Sequence, residues 1–110
     1  MGNIIFQKSF NEQEQVTSLE IGGMLVLENS QQLKKDFMTV VDCLSHRVKI
    51  TISNVEEIDL SFIQLLIAFI HYVNEAHVAY QFDWNIDEDQ KSLLENVGLS
   101  NELFLNDSYV

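Results

Sequence analysis

The sequence has no proline, one cysteine, four glycines and only six lysines and arginines, set against seventeen aspartates and glutamates. Each shortage excludes something. Without proline every backbone amide can donate a hydrogen bond, and breaks between elements fall to glycine and to polar clusters. The single thiol, Cys43, has no internal disulfide partner and no C-x-x-C neighbour that would mark a redox pair. A formal net charge of −11 opposes nucleic acid, whose phosphates are held by Lys and Arg, and it opposes an anionic membrane surface for the same reason. A charged partner is therefore expected to be basic. Long apolar runs are missing as well: the richest stretch, Phe62 to Ile70, is interrupted by Gln64 and reaches only to His71, short of the roughly twenty residues that span a bilayer. No charged-then-apolar leader is visible, so no membrane insertion and a reducing cytoplasm are expected.

Signatures of chemistry are equally sparse. There is no Walker loop, no G-x-G-x-x-G and no G-x-S-x-G elbow. His46, His71 and His77 stand without Cys or carboxylates at metal-ligand spacing. Asp59, at the end of a strand, invites comparison with a phospho-accepting aspartate. Such sites need an acidic pair after the first strand to hold magnesium against the phosphoryl charge, and Phe6-Gln7-Lys8-Ser9 offers none. The expectation is a non-enzymatic protein with no cofactor and no metal.

What is present reads as one domain over residues 1–110, since this length and a 46% hydrophobic content suffice for a single core. Ile4 to Ser9 and Val16 to Ile21 read as strands joined by the polar turn Asn11-Glu12-Gln13-Glu14, with Gly22-Gly23 releasing the chain. From Ser30 the positions Leu33, Phe37, Val40, Val41 and Leu44 make the apolar face of a helix that Asn29 or Ser30 can cap. Val48, Ile50 and Ile52 alternate with Lys49, Thr51 and Ser53 as a strand ending near Asn54, followed by an acidic loop, Val55-Glu56-Glu57-Ile58-Asp59. Phe62, Leu65, Leu66, Phe69, Tyr72 and Val73 then recur at helical spacing. Val78 to Phe82 reads as the next strand, and a loop holding Trp84 leads to a capping box, Asp87 with Gln90, which opens the last helix; Gly98 supplies its left-handed stop. Strands that alternate with helices after a hairpin give a mixed sheet, because parallel neighbours need crossovers.

The segment Ile58-Asp59-Leu60-Ser61-Phe62-Ile63-Gln64-Leu65-Leu66 resembles the signature of the STAS domains, whose best-known members are anti-sigma factor antagonists: a strand, a loop reading hydrophobic-Asp-Ser-Ser/Thr-Gly, and a Leu-rich helix. The ending Gly98-Leu99-Ser100-Asn101-Glu102-Leu103-Phe104 is similar to the family's Gly-Leu-x-x-Leu-Phe, and the resemblance covers roughly residues 4 to 105. It implies an α/β, STAS-like fold: a mixed four- to five-stranded sheet packed with three to four helices, in the order β-β-α-β-α-β-α, with an edge strand near Leu103 to Leu105. It also implies a bacterial, cytoplasmic signal-transduction module that engages an anti-sigma factor or serine kinase, a histidine kinase, or a phosphatase. The alternative within the family is a subunit of a lipid-transport ATPase complex, bound to the transport ATPase.

In the antagonists the residue after the motif aspartate is a phosphorylated serine or threonine. Here Leu60 holds that position, the hydroxyl lies one residue on at Ser61, and Phe62 replaces the glycine. Ser61 is thus either a helix cap beside Asp59 or a displaced phosphoacceptor. If the Phe62 stripe faces the sheet, Ile63, Ile67 and Ile70 lie toward a partly exposed flank. On that basis Asp59, Leu60, Ser61, Ile63, Gln64 and Ile67 form the expected partner-docking face. Glu56 and Glu57 are solvated turn residues on this reading, and Trp84 is either a contact anchor or folded onto the core.

Overall fold

The computed structural model describes residues 3–96; the expected stop at Gly98, the Gly98 to Phe104 ending and the edge strand near Leu103 lie outside the described residues. Four strands, β1 (Ile4–Phe10), β2 (Val16–Leu25), β3 (Leu44–Ile58) and β4 (Ala79–Trp84), and three helices, α1 (Ser30–Val40), α2 (Leu60–Glu75) and α3 (Glu88–Asn96), follow one another in the expected order β-β-α-β-α-β-α. The sheet order is β1-β2-β3-β4. The β1–β2 hairpin is antiparallel, and β2–β3 and β3–β4 are parallel. This is the mixed α/β sheet anticipated from the sequence, and its two parallel steps are the ones that α1 and α2 cross. Parallel crossovers are right-handed as a rule, and two that step the same way along the sheet place their helices, α1 and α2, on one face.

The core sits between that face and the two helices. Leu19 and Ile21 of β2, Val48, Ile50 and Ile52 of β3, and Tyr80 and Phe82 of β4 are all buried. They meet Leu33, Phe37 and Val40 of α1 and Phe62, Leu66, Phe69 and Val73 of α2 in one cluster. Each such side chain contributes about 1.5–3 kcal/mol by leaving water. Phe37 is the aromatic hinge of the layer, with Phe6 of β1 edge-on at 5.3 Å and Phe69 of α2 at 4.7 Å between ring centroids. Trp84 is the last residue of β4 rather than a loop residue, stacked on Phe82 at 5.5 Å. Among the described residues no helix is long and apolar enough to cross a membrane.

Two strands run past the ends expected for them. Gly22-Gly23 does not release the chain but lies inside β2, which continues to Leu25. Likewise Val55 to Ile58 is not a loop but the last part of β3. Both extensions are hidden from an alternation rule by irregular pairing: Ile21 pairs with Ile52, yet Gly23 pairs with Val55 and Met24 with Glu57, so β3 carries extra residues there. Asn54, at φ 54°, turns through the left-handed region within this stretch. The bulged backbone presses on β2, and a Cβ on Gly22 would lie 1.9 Å from the Ser53 carbonyl oxygen. Gly23 has φ +81°, and a Cβ there would lie 2.3 Å from the Asn3 carbonyl oxygen, which the Met24 amide contacts at 3.0 Å.

The helix ends show the same economy of glycine. α3 begins with the expected capping box: the Gln90 amide donates to Asp87 Oδ1 at 2.8 Å, and the Asp87 amide donates to Gln90 Oε1 at 3.3 Å. At the start of α1, Asn29 is the cap residue but makes no side-chain cap bond. Its Nδ2 donates instead to the Met24 carbonyl at 2.8 Å, tying the helix entry to the end of β2. α2 stops where His77 takes a left-handed φ of 59° and donates its amide to the Asn74 carbonyl at 3.1 Å, which gives that histidine a backbone role.

Replacing Gly22 by alanine forces β2 and β3 apart, so Gly22→Ala is expected to lower the urea-unfolding free energy by about 1–3 kcal/mol, the usual cost of overpacking. An unchanged midpoint would mean that the close approach at Ser53 is absent in solution.

Candidate functional site

Parallel pairing of β2 with β3 brings their carboxyl ends to one edge, where Leu25 is paired with Ile58. Two residues past this pair stand Leu27, opening the short 3-10 turn Leu27–Asn29, and Leu60, opening α2. Loops at such an edge carry the working surface in many open sheets. Here a single side chain holds them together.

Asp59 is the N-cap of α2. Its backbone amide donates to the Leu25 carbonyl at 3.0 Å, which continues the β2 contact beyond the ladder. One carboxylate oxygen, Oδ2, accepts the Leu27 amide at 3.0 Å, and the other, Oδ1, accepts the Ser61 amide at 3.0 Å together with the Ser61 hydroxyl. Partial burial alone pushes the Asp59 pKa up. Hydrogen bonds from the Ser61 hydroxyl and from the Leu27, Ser61 and Phe62 amides outweigh it and hold the carboxyl below its ordinary value. The group stays ionised at neutral pH, and its charge sits at the positive end of α2.

Ser61 is half-buried, and its hydroxyl is engaged by Asp59. Asp59 rather than Ser61 is therefore the cap: its carboxylate accepts, and the Ser61 hydroxyl donates to it instead of accepting a backbone amide. Leu60 stands 46% exposed and Leu27 66% exposed, so each of the two segments that the clamp joins carries a large apolar side chain into water. Gln64 is exposed and Ile67 half-buried, on the same side of α2 as Leu60.

Ile63 does not belong with them: its side chain is 0% exposed. The buried arc of α2 is Phe62, Ile63, Leu66, Phe69, Ile70 and Val73, turned from the expected stripe so that Ile63 and Ile70 go inside while Leu65 is half-buried and Tyr72 exposed. The reason is that α2 is apolar around most of its circumference and packs against both the sheet and α1. Period alone cannot say which apolar residues take the sheet and which take the neighbouring helix. Leu27 was missed because the strand was ended at Ile21 and the run Met24-Leu25-Val26-Leu27 was given to no element. The available signal was that four apolar residues in succession cannot all turn inward from one strand.

Exposed acids follow Leu27 and precede Asp59 in the chain. Glu28, Glu56 and Glu57 are exposed, and Glu56 and Glu57 share a cleft of about 270 Å³ with Asp87 and Asp89 of the α3 entry. Gln90 closes that cleft by donating from Nε2 to the Val55 carbonyl at 3.2 Å. Among the described residues no group of three or more His, Cys, Asp or Glu side chains is arranged to hold a metal ion.

No protein-family model matches the chain. No curated protein matches it either. Among solved structures it is similar to the Bacillus cell fate determinant SpoIIAA in its phosphorylated form, with a TM-score of 0.62 and 14% sequence identity over 89% of this chain and 87% of that one. At that identity the likeness establishes the fold, which is the STAS-like α/β arrangement of that protein.

Removing the clamp carboxylate leaves the Leu27 and Ser61 amides without their acceptor. Asp59→Ala is expected to cost about 0.5–2 kcal/mol in urea unfolding at pH 7, the range for a lost N-cap. Because the folded state favours the ionised carboxyl, this contribution is complete above the unfolded pKa of about 3.9 and is lost as pH falls through the lower folded value. The gap between wild type and variant should therefore close under acid, and a gap that persists undiminished there would deny Asp59 the role.

Proposed function

We propose that the protein is a non-catalytic regulatory module of the anti-sigma factor antagonist type, which docks a signalling kinase or phosphatase through the edge formed by Leu27, Asp59, Leu60, Ser61 and Gln64. One observation carries the reading: the Asp59 carboxylate ties the turn at Leu27 to the start of α2 at Leu60, both leucines stand exposed, and the acids next to them in the chain, Glu28, Glu56 and Glu57, are exposed too. Exposed apolar groups inside a charged rim are the pattern of a protein contact. The rim asks for a partner with Lys or Arg around an apolar centre, which fits a chain of net charge −11. The likeness to a cell fate determinant that exists in a phosphorylated form supports a regulatory setting.

Ser61 gives this surface a means of control. A phosphate on its oxygen adds nearly two negative charges within hydrogen-bond range of the Asp59 carboxylate that the hydroxyl now serves as donor. The attraction of a helix N-terminus for phosphate amounts to about half a charge, which is less than the repulsion from a full carboxylate at contact. Phosphorylation opens the clamp, frees the Leu27 amide and separates the apolar pair, so the modified protein releases its partner.

The test is affinity capture from native lysate with wild type and with the double variant Leu27→Glu, Leu60→Glu, both positions being exposed enough to leave folding intact by circular dichroism. Wild type is expected to recover a kinase or phosphatase that the variant does not. Equal recovery by both would remove the edge as the docking surface, and recovery of a transport ATPase would overturn the signalling role. Ser61→Glu is expected to weaken capture in the same assay while Ser61→Ala retains it.

A further inference from the structure

A second surface lies along the middle of α2, away from the Asp59 edge. Lys34, Met38 and Val41 on the α1 side face Leu65, Ala68 and Tyr72 of α2 across an open trough of about 280 Å³. Its floor is the Phe37–Phe69 ring pair, at 4.7 Å between centroids. The positions repeat at three- and four-residue intervals on both helices, so the trough runs with their axes. From residue 34 to 41 it is about 10 Å long at 1.5 Å per residue, which is two helical turns.

Its walls are unusually apolar for an exposed place. Met38 is 61% and Tyr72 43% exposed, although nothing at the Asp59 edge requires either. Methionine adapts its shape to a partner, and tyrosine combines apolar area with a polar tip, which is why both are enriched at contacts between proteins. The half-open shape and the small volume accommodate a few inserted side chains rather than an enclosed metabolite.

Charge selects the occupant. In a chain where acids outnumber bases seventeen to six, the one charged residue among the described residues that line the trough is a cation, Lys34. Lys35 follows it on α1, while the adjacent acid, Asp36, lies some 200° around the helix from Lys34 and accepts Gln32 Nε2 at 3.0 Å. A second copy of this chain is a poor occupant, because it brings −11 against −11, whereas a short helix brings only the few carboxylates that meet Lys34, with the rest of the chain's charge screened beyond about 8 Å.

We propose that the α1–α2 trough is a docking groove for an amphipathic helix whose apolar anchors are flanked by acidic residues. Two or three anchor side chains at i, i+3 or i+4, and i+7 enter between Met38 and Tyr72 over the Phe37–Phe69 floor. A carboxylate on the flank meets Lys34. Among the described residues the trough shares no lining residue with the Asp59 edge.

The test uses a panel of fluorescein-labelled helical peptides, with Leu, Ile or Met anchors at that spacing and either Glu or Lys flanks, titrated by fluorescence anisotropy against the full chain. Amide chemical shifts locate the contact. Saturable binding of a Glu-flanked member is expected, with shifts at residues 34–41 and 65–72. Met38→Glu, which replaces a mostly exposed side chain, should weaken it by at least about tenfold, as for a central anchor. Lys34→Glu should weaken the Glu-flanked peptides by about two- to fivefold, the scale of an exposed ion pair, and improve the Lys-flanked ones. The proposal is overturned by no saturable binding of any member up to about 1 mM, by equal affinity for the two flanks, or by shifts confined to the Asp59 edge. Sedimentation of the free chain as a dimer that Met38→Glu dissolves would assign the trough to self-association and overturn it equally.

Discussion

The Asp59 carboxylate joins segments that lie thirty-two residues apart in the chain, the turn after β2 and the first turn of α2. Much else follows from that junction. Both segments are crossovers leaving the same edge of a parallel pair, and without a common acceptor each would end in unpaired amides facing the other. One carboxylate supplies acceptors to both, and the Asp59 amide adds a bond back to Leu25. The start of α2 is thereby fixed relative to the sheet. Since α2 supplies six of the buried core residues, its axial position also sets how Phe69 meets Phe37 and hence how α1 lies. The clamp that exposes Leu27 and Leu60 thus aligns the helical layer beneath them.

The irregular pairing of β2 with β3 is the complementary constraint. Extra residues in β3 carry its end far enough for Ile58 to reach Leu25, and only then can Asp59 reach Leu27. The bulged backbone is admitted because Gly22 and Gly23 present no Cβ to the carbonyls on either side of β2. In a protein with four glycines, two are placed where side chains are sterically forbidden. Elsewhere the left-handed turns are held by Glu14, Asn54 and His77, residues that accept that conformation at some cost.

This distribution explains which parts of the structure were legible in the sequence. Alternation in Val48 to Ser53 and helical spacing in Leu33 to Val40 report burial directly, so the element order, the hairpin and the Asp87–Gln90 capping box could be read without coordinates. Alternation fails once a bulge intervenes, which is why Val55 to Ile58 looked like a loop and Gly22-Gly23 like a terminus. Periodicity fails in a different way on α2. Where nearly every side of a helix is apolar, the pattern identifies burial but not the direction of burial, and Ile63 was put on the surface while Tyr72 was put inside. Leu27 illustrates a third limit: the apolar run Met24 to Leu27 signals that some of its residues face outward, but the hydrogen bond to Asp59 that ties Leu27 to the start of α2 joins distant residues and has no local pattern.

High negative charge and exposed apolar surface are usually treated as opposing properties, yet here each makes the other possible. Leu27, Leu60, Met38 and Tyr72 stand in water, and side chains of that kind on neutral molecules associate with one another. Two copies of a chain carrying −11 repel before such patches meet, and the repulsion weakens only as salt shortens its range toward the 8–10 Å of physiological solution. A partner that brings basic residues to the Glu28, Glu56 and Glu57 rim experiences the opposite force. In the docking role proposed for this edge, the same charge that keeps the exposed leucines from their own kind admits a heterologous partner, with long-range electrostatics discriminating between the two and the apolar contact supplying affinity after selection has been made.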